Sequence, residues 1–355
     1  MLQRLADVFS RWLPWSPTEQ VLLLNVEYDG SNEEGQEALL ADFRSRIQLT
    51  YRKNIPTPLK LVDGREISSD AGWGCMLRAT QMMLAQCFVA LVLGREWRFD
   101  AERDLASGSA YLEVVSCFLD VPTAPFSLHC LVAAGQHLLG KEPSTWFGPT
   151  SAAQAVGHLF QSTDASSREP AFLRSVGCRV FEDGAVFKDS VLELFASGTC
   201  SAAIILVCRR LGLNNFNVEE YRPGLESCFA LPEFQGLASG NSASSAHFFV
   251  GTHGDCLLFL DPHQVRPALD STEAVCRAGL DAGLHAARPL TLRWSRLNPS
   301  VCLGFLVKSQ EEFLQLCDKL CEGPRSEVIE VLQRQPSYSG RVESTTEDGD
   351  MVLLD

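Results

Sequence analysis

The chain has 355 residues, 46% hydrophobic and 21% charged, with a net charge of −14 at pH 7. This describes a soluble globular protein with room for one large domain or two modest ones. The acidic balance argues against nucleic acid as a ligand, which would need a basic face, and weakly suits a partner with a basic surface.

Residues 2–13 place Leu2, Leu5, Phe9, Trp12 and Leu13 at helical spacing, with Arg4, Asp7 and Arg11 on other faces. This is a short amphipathic helix ended by Pro14 and Pro17. It reads as a helix docked on its own domain, or as a membrane-surface or partner-binding segment. Residues 21–26 read as a short buried strand or its edge. Residues 33–49 read as a helix with Leu39, Leu40, Phe43 and Ile47 on one face. A turn-rich stretch with Pro56, Pro58 and Gly64 leads to Ser68-Ser69-Asp70-Ala71-Gly72-Trp73-Gly74-Cys75.

The chain is organised around Cys75. From there an apolar run reaches Leu93, with Arg78 as its only charged side chain and Gly94 as its stop. An all-apolar helix is a central buried one, and Asp70 stands near its expected N-cap. Cys75 at such an N-terminus meets unpaired N–H groups and the positive end of the helix dipole, which favour a thiolate. The two glycines allow close approach to a substrate, and Trp73 can wall a cleft. The plainer reading is a buried structural cysteine.

Residues 101–119 and 126–139 read as further helices, and Trp146-Phe147-Gly148-Pro149 precedes another. Residues 163–170 read as an exposed loop. Then β character rises. Residues 178–187 suggest a hairpin turning at Asp183-Gly184. Residues 202–208 suit a central strand, and 236–246 a Gly/Ser-rich loop. Two strands at 247–251 and 256–260 flank His253-Gly254-Asp255, and 301–307 is the last apolar strand. Ser309 and Glu312 form a capping box for a helix ending near Gly323. After Pro336 the chain is polar and acidic and is expected to be disordered. The expected division is 1–20 as an N-terminal segment, 21–335 as one domain and 336–355 as a tail.

The 13 cysteines form no CxxC pair. Their odd number and apolar surroundings fit reduced thiols in the cytosol, and a zinc site is poorly supported. No apolar run approaches the roughly 18 residues of a membrane span, and the N-terminus lacks a signal-peptide core. The expected location is therefore cytoplasmic.

A cysteine nucleophile needs an imidazole to hold the thiolate–imidazolium pair and protonate the leaving amine, and the imidazole needs an acceptor to fix its tautomer. Two candidates exist: His247, placed at the start of a strand, and His263 in Asp261-Pro262-His263. Asp261 is the orienting acid for either, and the residues leave the choice near even. A helical N-terminal half carrying Cys75 and a sheet-rich half carrying the histidines match the papain-like layout by analogy.

YRKN at 51–54, SDAGWGCMLR at 69–78, WFGP at 146–149, RLGL at 210–213, SAHFFVG at 245–251 and LDPH at 260–263 occur in this order. Together they resemble the autophagins, the autophagy-related cysteine proteases, over residues 21 to about 320. The resemblance implies an α+β, papain-like cysteine protease fold with a small inserted subdomain. It implies Cys75 as nucleophile, His263 as base and Asp261 as its orienter. Tyr51 would stabilise the oxyanion with the backbone N–H of Cys75, and Trp146 would cover the groove with the loop before His247. The implied substrates and partners are small ubiquitin-like autophagy modifiers, cut after a glycine or released from phosphatidylethanolamine. Membrane contact would be transient, through the lipidated substrate. A monomer without cofactor or metal is expected.

The sequence departs from the family pattern in a slightly longer loop at 238–246, in Ala79 where some relatives have a second cysteine, and in Met351 where relatives often have an aromatic residue. Two other readings are a deubiquitinase-like cysteine hydrolase with another substrate and a catalytically silent modifier-binding relative.

Overall fold

The computed structural model describes residues 19–162, 169–242 and 245–335. The expected N-terminal helix, the acidic tail with Met351 and most of the expected loop at 163–170 lie outside the described residues. The helices of seven residues or more are α1 (Glu33–Arg44), α2 (Cys75–Val92), α3 (Ala110–Ser116), α4 (Leu128–Leu139), α5 (Pro149–Ser162), α6 (Lys188–Ala196), α7 (Val218–Phe229), α8 (Thr272–Ala278) and α9 (Gln310–Cys321). The main sheet contains β1 (Gln20–Leu23), β2 (Val26–Asp29), β3 (Val176–Phe181), β4 (Ala202–Arg210), β5 (Phe234–Ser242), β6 (Ser245–His253), β7 (Cys256–Leu260), β8 (Leu290–Arg293) and β9 (Ser300–Val307). Helices precede strands along most of the chain, and the class is α+β.

Seven strands run in the order β8-β7-β6-β5-β9-β4-β3, while β1 pairs with the end of β6 and with β2. All pairs are antiparallel except β3 with β4. The continuous apolar run of β4 is explained by burial on both faces. Ala202, Ile204, Leu206 and Cys208 join one core, and Ala203, Ile205 and Val207 join the other. The first core lies under α2, α4 and α5, the second under α7 and α9.

Helix α2 packs on β5, β6 and β9. Gly304 permits this approach, since a Cβ there would stand 2.6 Å from the Met83 sulfur. This corrects the expectation about membrane spans: α2 has 18 residues and a mean hydropathy of 1.5, enough by length and composition to cross a membrane. It is, however, 89% buried inside the fold.

Several local expectations are also corrected. Residues 21–26 form a tight hairpin, with Leu24 and Asn25 at positive φ. The expected helix at 101–119 breaks, because the Ser109 hydroxyl caps α3 afresh, accepting from the Leu112 N–H at 3.2 Å. The hairpin at 178–187 does not form. Its first arm pairs in parallel with β4, and its second, Ala185–Phe187, pairs in parallel with Glu330–Leu332. That later pair also shows that 301–307 is not the final strand. The supposed loop at 236–246 is mostly strand, because pairing with β6 and β9 satisfies its backbone and overrides its Gly/Ser composition. The capping residue Ser309 is as expected, accepting from the Glu312 N–H at 3.0 Å.

Candidate active site

Cys75 is the first residue of α2, is fully buried, and follows Gly74 as the N-cap. Asp70 does not cap the helix. Its Oδ1 accepts the Arg52 N–H at 2.6 Å, and its Oδ2 accepts from Arg78 Nε at 2.7 Å. Gly74 is needed there, since a Cβ would sit 2.7 Å from Asp70 Oδ2. Trp73 is nearly buried, and its indole N–H donates to the Ser69 carbonyl at 3.2 Å.

Arg78 also binds Asp120 Oδ1 at 2.9 Å, and Asp120 Oδ2 accepts the Leu269 N–H at 2.9 Å. Arg52 reaches the carbonyls of Pro267 and Ala282 at 3.0 and 3.3 Å. This buried charge cluster ties the start of α2 to the segment after His263. Sequence reading missed it; the lone Arg78 in an apolar helix was its only sign.

Tyr51 and His263 are brought together by backbone pairing. The Tyr51 N–H donates to the Pro262 carbonyl at 2.8 Å, and the Arg266 N–H donates to the Tyr51 carbonyl at 2.9 Å. Residues Arg52–Lys53 then run parallel to Arg266–Pro267. The Tyr51 and His263 rings meet edge to face, with centroids 5.4 Å apart.

Asp261 follows the last residue of β7. Its backbone carbonyl accepts from Gln48 Nε2 at 2.8 Å. Its Oδ1 takes a short hydrogen bond from His263 Nδ1 and the His263 N–H at 3.2 Å. His247 is not at a strand start but third in β6, fully buried, with Nδ1 3.4 Å from the same Oδ1.

Burial raises the Cys75 thiol pKa, but hydrogen bonds from His263, Tyr51 and the Ala246 N–H, with the His263 charge, leave it lowered overall. Desolvation opposes the charge on His263, yet its bonds to Asp261 and Cys75 raise it from 6.5 to about 9. Burial likewise opposes the Asp261 charge, and the bonds to His247 and His263 hold this carboxyl well below the usual range. Tyr51 is raised by desolvation and by the neighbouring Cys75 and Asp70. These shifts favour a thiolate beside an imidazolium, the state that attacks a carbonyl and then protonates a leaving amine. Of the two candidate histidines, His263 is the one hydrogen-bonded to the thiol.

Trp146 is half-buried. Lys141 Nζ donates to its carbonyl at 3.1 Å, and its ring borders Gly148. One expectation about metals changes. His247, Asp261 and His263 place possible ligand atoms within 4.8 Å of one another, a grouping invisible in linear spacing. These atoms are already directed at one another: both Nδ1 atoms face Asp261 Oδ1.

The family model of the Peptidase C54 catalytic domain matches residues 36–319. The chain is 32% identical to "Probable cysteine protease atg4" of Aspergillus niger, covering 84% of this chain and 76% of that protein. It is also 32% identical to "Cysteine protease atg4" of Emericella nidulans, over 88% of this chain and 80% of the relative. "Cysteine protease 1" of Neurospora crassa is 33% identical, over 82% and 59% respectively. The match spans the cysteine, the histidines and the strands that bring them together: the chain belongs to the peptidase C54 family and is a cysteine protease, a hydrolase of autophagy.

Proposed function

We propose that residues 21–335 form a papain-like protease domain, with a small inserted subdomain, that cleaves ubiquitin-like autophagy modifiers after a glycine. The same domain activates the precursor and releases the modifier from phosphatidylethanolamine. Cys75 is the nucleophile, His263 the base and Asp261 its orienter. Tyr51 and the Cys75 N–H stabilise the oxyanion. The enzyme acts as a cytoplasmic monomer without cofactor and meets membrane only through its lipidated substrate. The observation that carries this reading is the placing of the Cys75 thiol, at the start of α2 and hydrogen-bonded to the His263 imidazole that Asp261 holds.

The deciding experiment labels the protein with thiol-reactive probes built on an autophagy modifier and on ubiquitin. Labelling of Cys75 by the autophagy probe alone is expected. Labelling by the ubiquitin probe alone would transfer the enzyme to another substrate class, and labelling by neither would mark a silent binder.

Trp146 is proposed to cover the scissile bond, leaving room only for a residue without a side chain. Trp146→Ala should then accept a substrate with alanine in place of that glycine. Unchanged rejection of that substrate would remove Trp146 from the gate.

A further inference from the structure

The second imidazole, His247, has no role in a three-residue mechanism, yet it is fully buried beside the orienting acid. Its surroundings fix which way it points. Its Nε2 lies 3.1 Å from Ser245 Oγ, and its ring packs against Phe259 with centroids 4.5 Å apart. A serine hydroxyl can donate to Nε2. The proton of a neutral ring then sits on Nδ1, because the bond at one nitrogen sets the tautomer at the other. That Nδ1 is 3.4 Å from Asp261 Oδ1, the oxygen that His263 Nδ1 uses.

We propose that His247 is a positioning residue for the protease reaction: it donates from Nδ1 to Asp261 and keeps that carboxylate ionised and turned toward His263. The need for such a residue follows from exposure. The Asp261 side chain is 24% exposed and that of His263 29%, so the carboxylate has an open side toward water. Rotation to that side would release His263 and with it the imidazolium beside Cys75. A rigid donor on the buried side, carried by β6, opposes that rotation. The charged and titratable groups facing this acid and its imidazole are His247 from β6, Cys75 from α2 and Tyr51 from the segment just before Arg52–Lys53.

The inference rests on the proposed roles of Cys75, His263 and Asp261, and the test separates the two. The full-length enzyme is compared with Cys75→Ala, His247→Leu and His247→Asn. The last of these keeps a donor at the Nδ1 level. The readouts are kcat and KM on the modifier precursor and the rate of Cys75 alkylation by iodoacetamide against pH.

His247→Leu is expected to lower kcat about 10–100-fold, the size expected for losing one hydrogen bond to a charged group, with KM little changed. Its alkylation should lose rate selectively at low pH, where only a thiolate paired with imidazolium reacts. His247→Asn should recover most of both. Wild-type kcat and alkylation in His247→Leu, or equal losses in Leu and Asn, would overturn the proposal. Should the Leu variant fail to fold, His247→Gln replaces it, since its amide sits at the Nε2 level. Better kcat in Asn than in Gln supports the assignment, and equal kcat rejects it. Turnover by Cys75→Ala would instead reject the triad itself, whatever the His247 variants do.

Discussion

At the residue level, the Cys75 thiol is buried yet easier to deprotonate than an ordinary cysteine, and His263 supplies the largest share of that effect. His263→Ala should therefore shift the alkylation profile of Cys75 to higher pH and lower turnover by several orders of magnitude, as removal of a triad base does. A profile unmoved by His263→Ala but moved by His247→Ala would reverse their roles. The same histidine gives a stability signature. Its folded pKa is about 9 against 6.5 unfolded, so its contribution is complete below about pH 6.5 and fades as pH rises through 9. Denaturant midpoints of wild type and His263→Ala should converge across that window, and a gap that widens with pH would contradict the assignment. Cys75, Asp261 and His263, the residues proposed for the site, stand out in the sequence because each lies in a short local motif. The choice between His247 and His263 is not legible there, because it depends on how β6 and β7 align, and strand register is a tertiary fact.

At the level of elements, α2 is both the central helix of the fold and the mount for Cys75, and its one charge is answered on two sides. Arg78 is ion-paired with Asp70 at 2.7 Å and Asp120 at 2.9 Å, all three nearly or wholly buried. Removing one member strands the others without solvent, which commonly costs about 3–5 kcal/mol. Arg78→Met should therefore destabilise the protein by that order in a urea titration, and Asp120→Asn should do so less, since its amide oxygen can still accept from Arg78. A neutral Arg78→Met would show that the cluster does not hold α2 in place. The helix itself was readable from its apolar run, and Arg78 stood out within it. Its partner Asp120, 42 residues away, carried no local mark. The strand at 234–242 was hidden for a related reason. Glycine and serine read as a loop, and only pairing along both edges makes them a strand.

For the whole molecule, the order of helices before strands was visible along the chain, and the α+β class with it. Interlocking was not. Strand β1 lies near the start of the described chain but pairs with β6, in the part that carries His247 and leads to His263. Cys75 comes after β1 and before α5, while His263 lies far beyond. A break between residues 162 and 169 would thus divide Cys75 from Asp261 and His263, with a strand of the first polypeptide belonging to the sheet of the second. Neither piece alone should hydrolyse substrate. Expressed together, the two should regain activity, because α2 on β5, β6 and β9, α5 on β3, β4 and β9, β1 on β6 and Arg52–Lys53 beside Arg266–Pro267 all join them. Deleting residues 1–23 from the first piece should lower the recovered activity, since β1 is then lost from β6, and a fused pair of interacting domains should restore it. The trimmed pair would be a split-enzyme reporter, in which turnover above its lowered baseline counts encounters between whatever is attached to its halves.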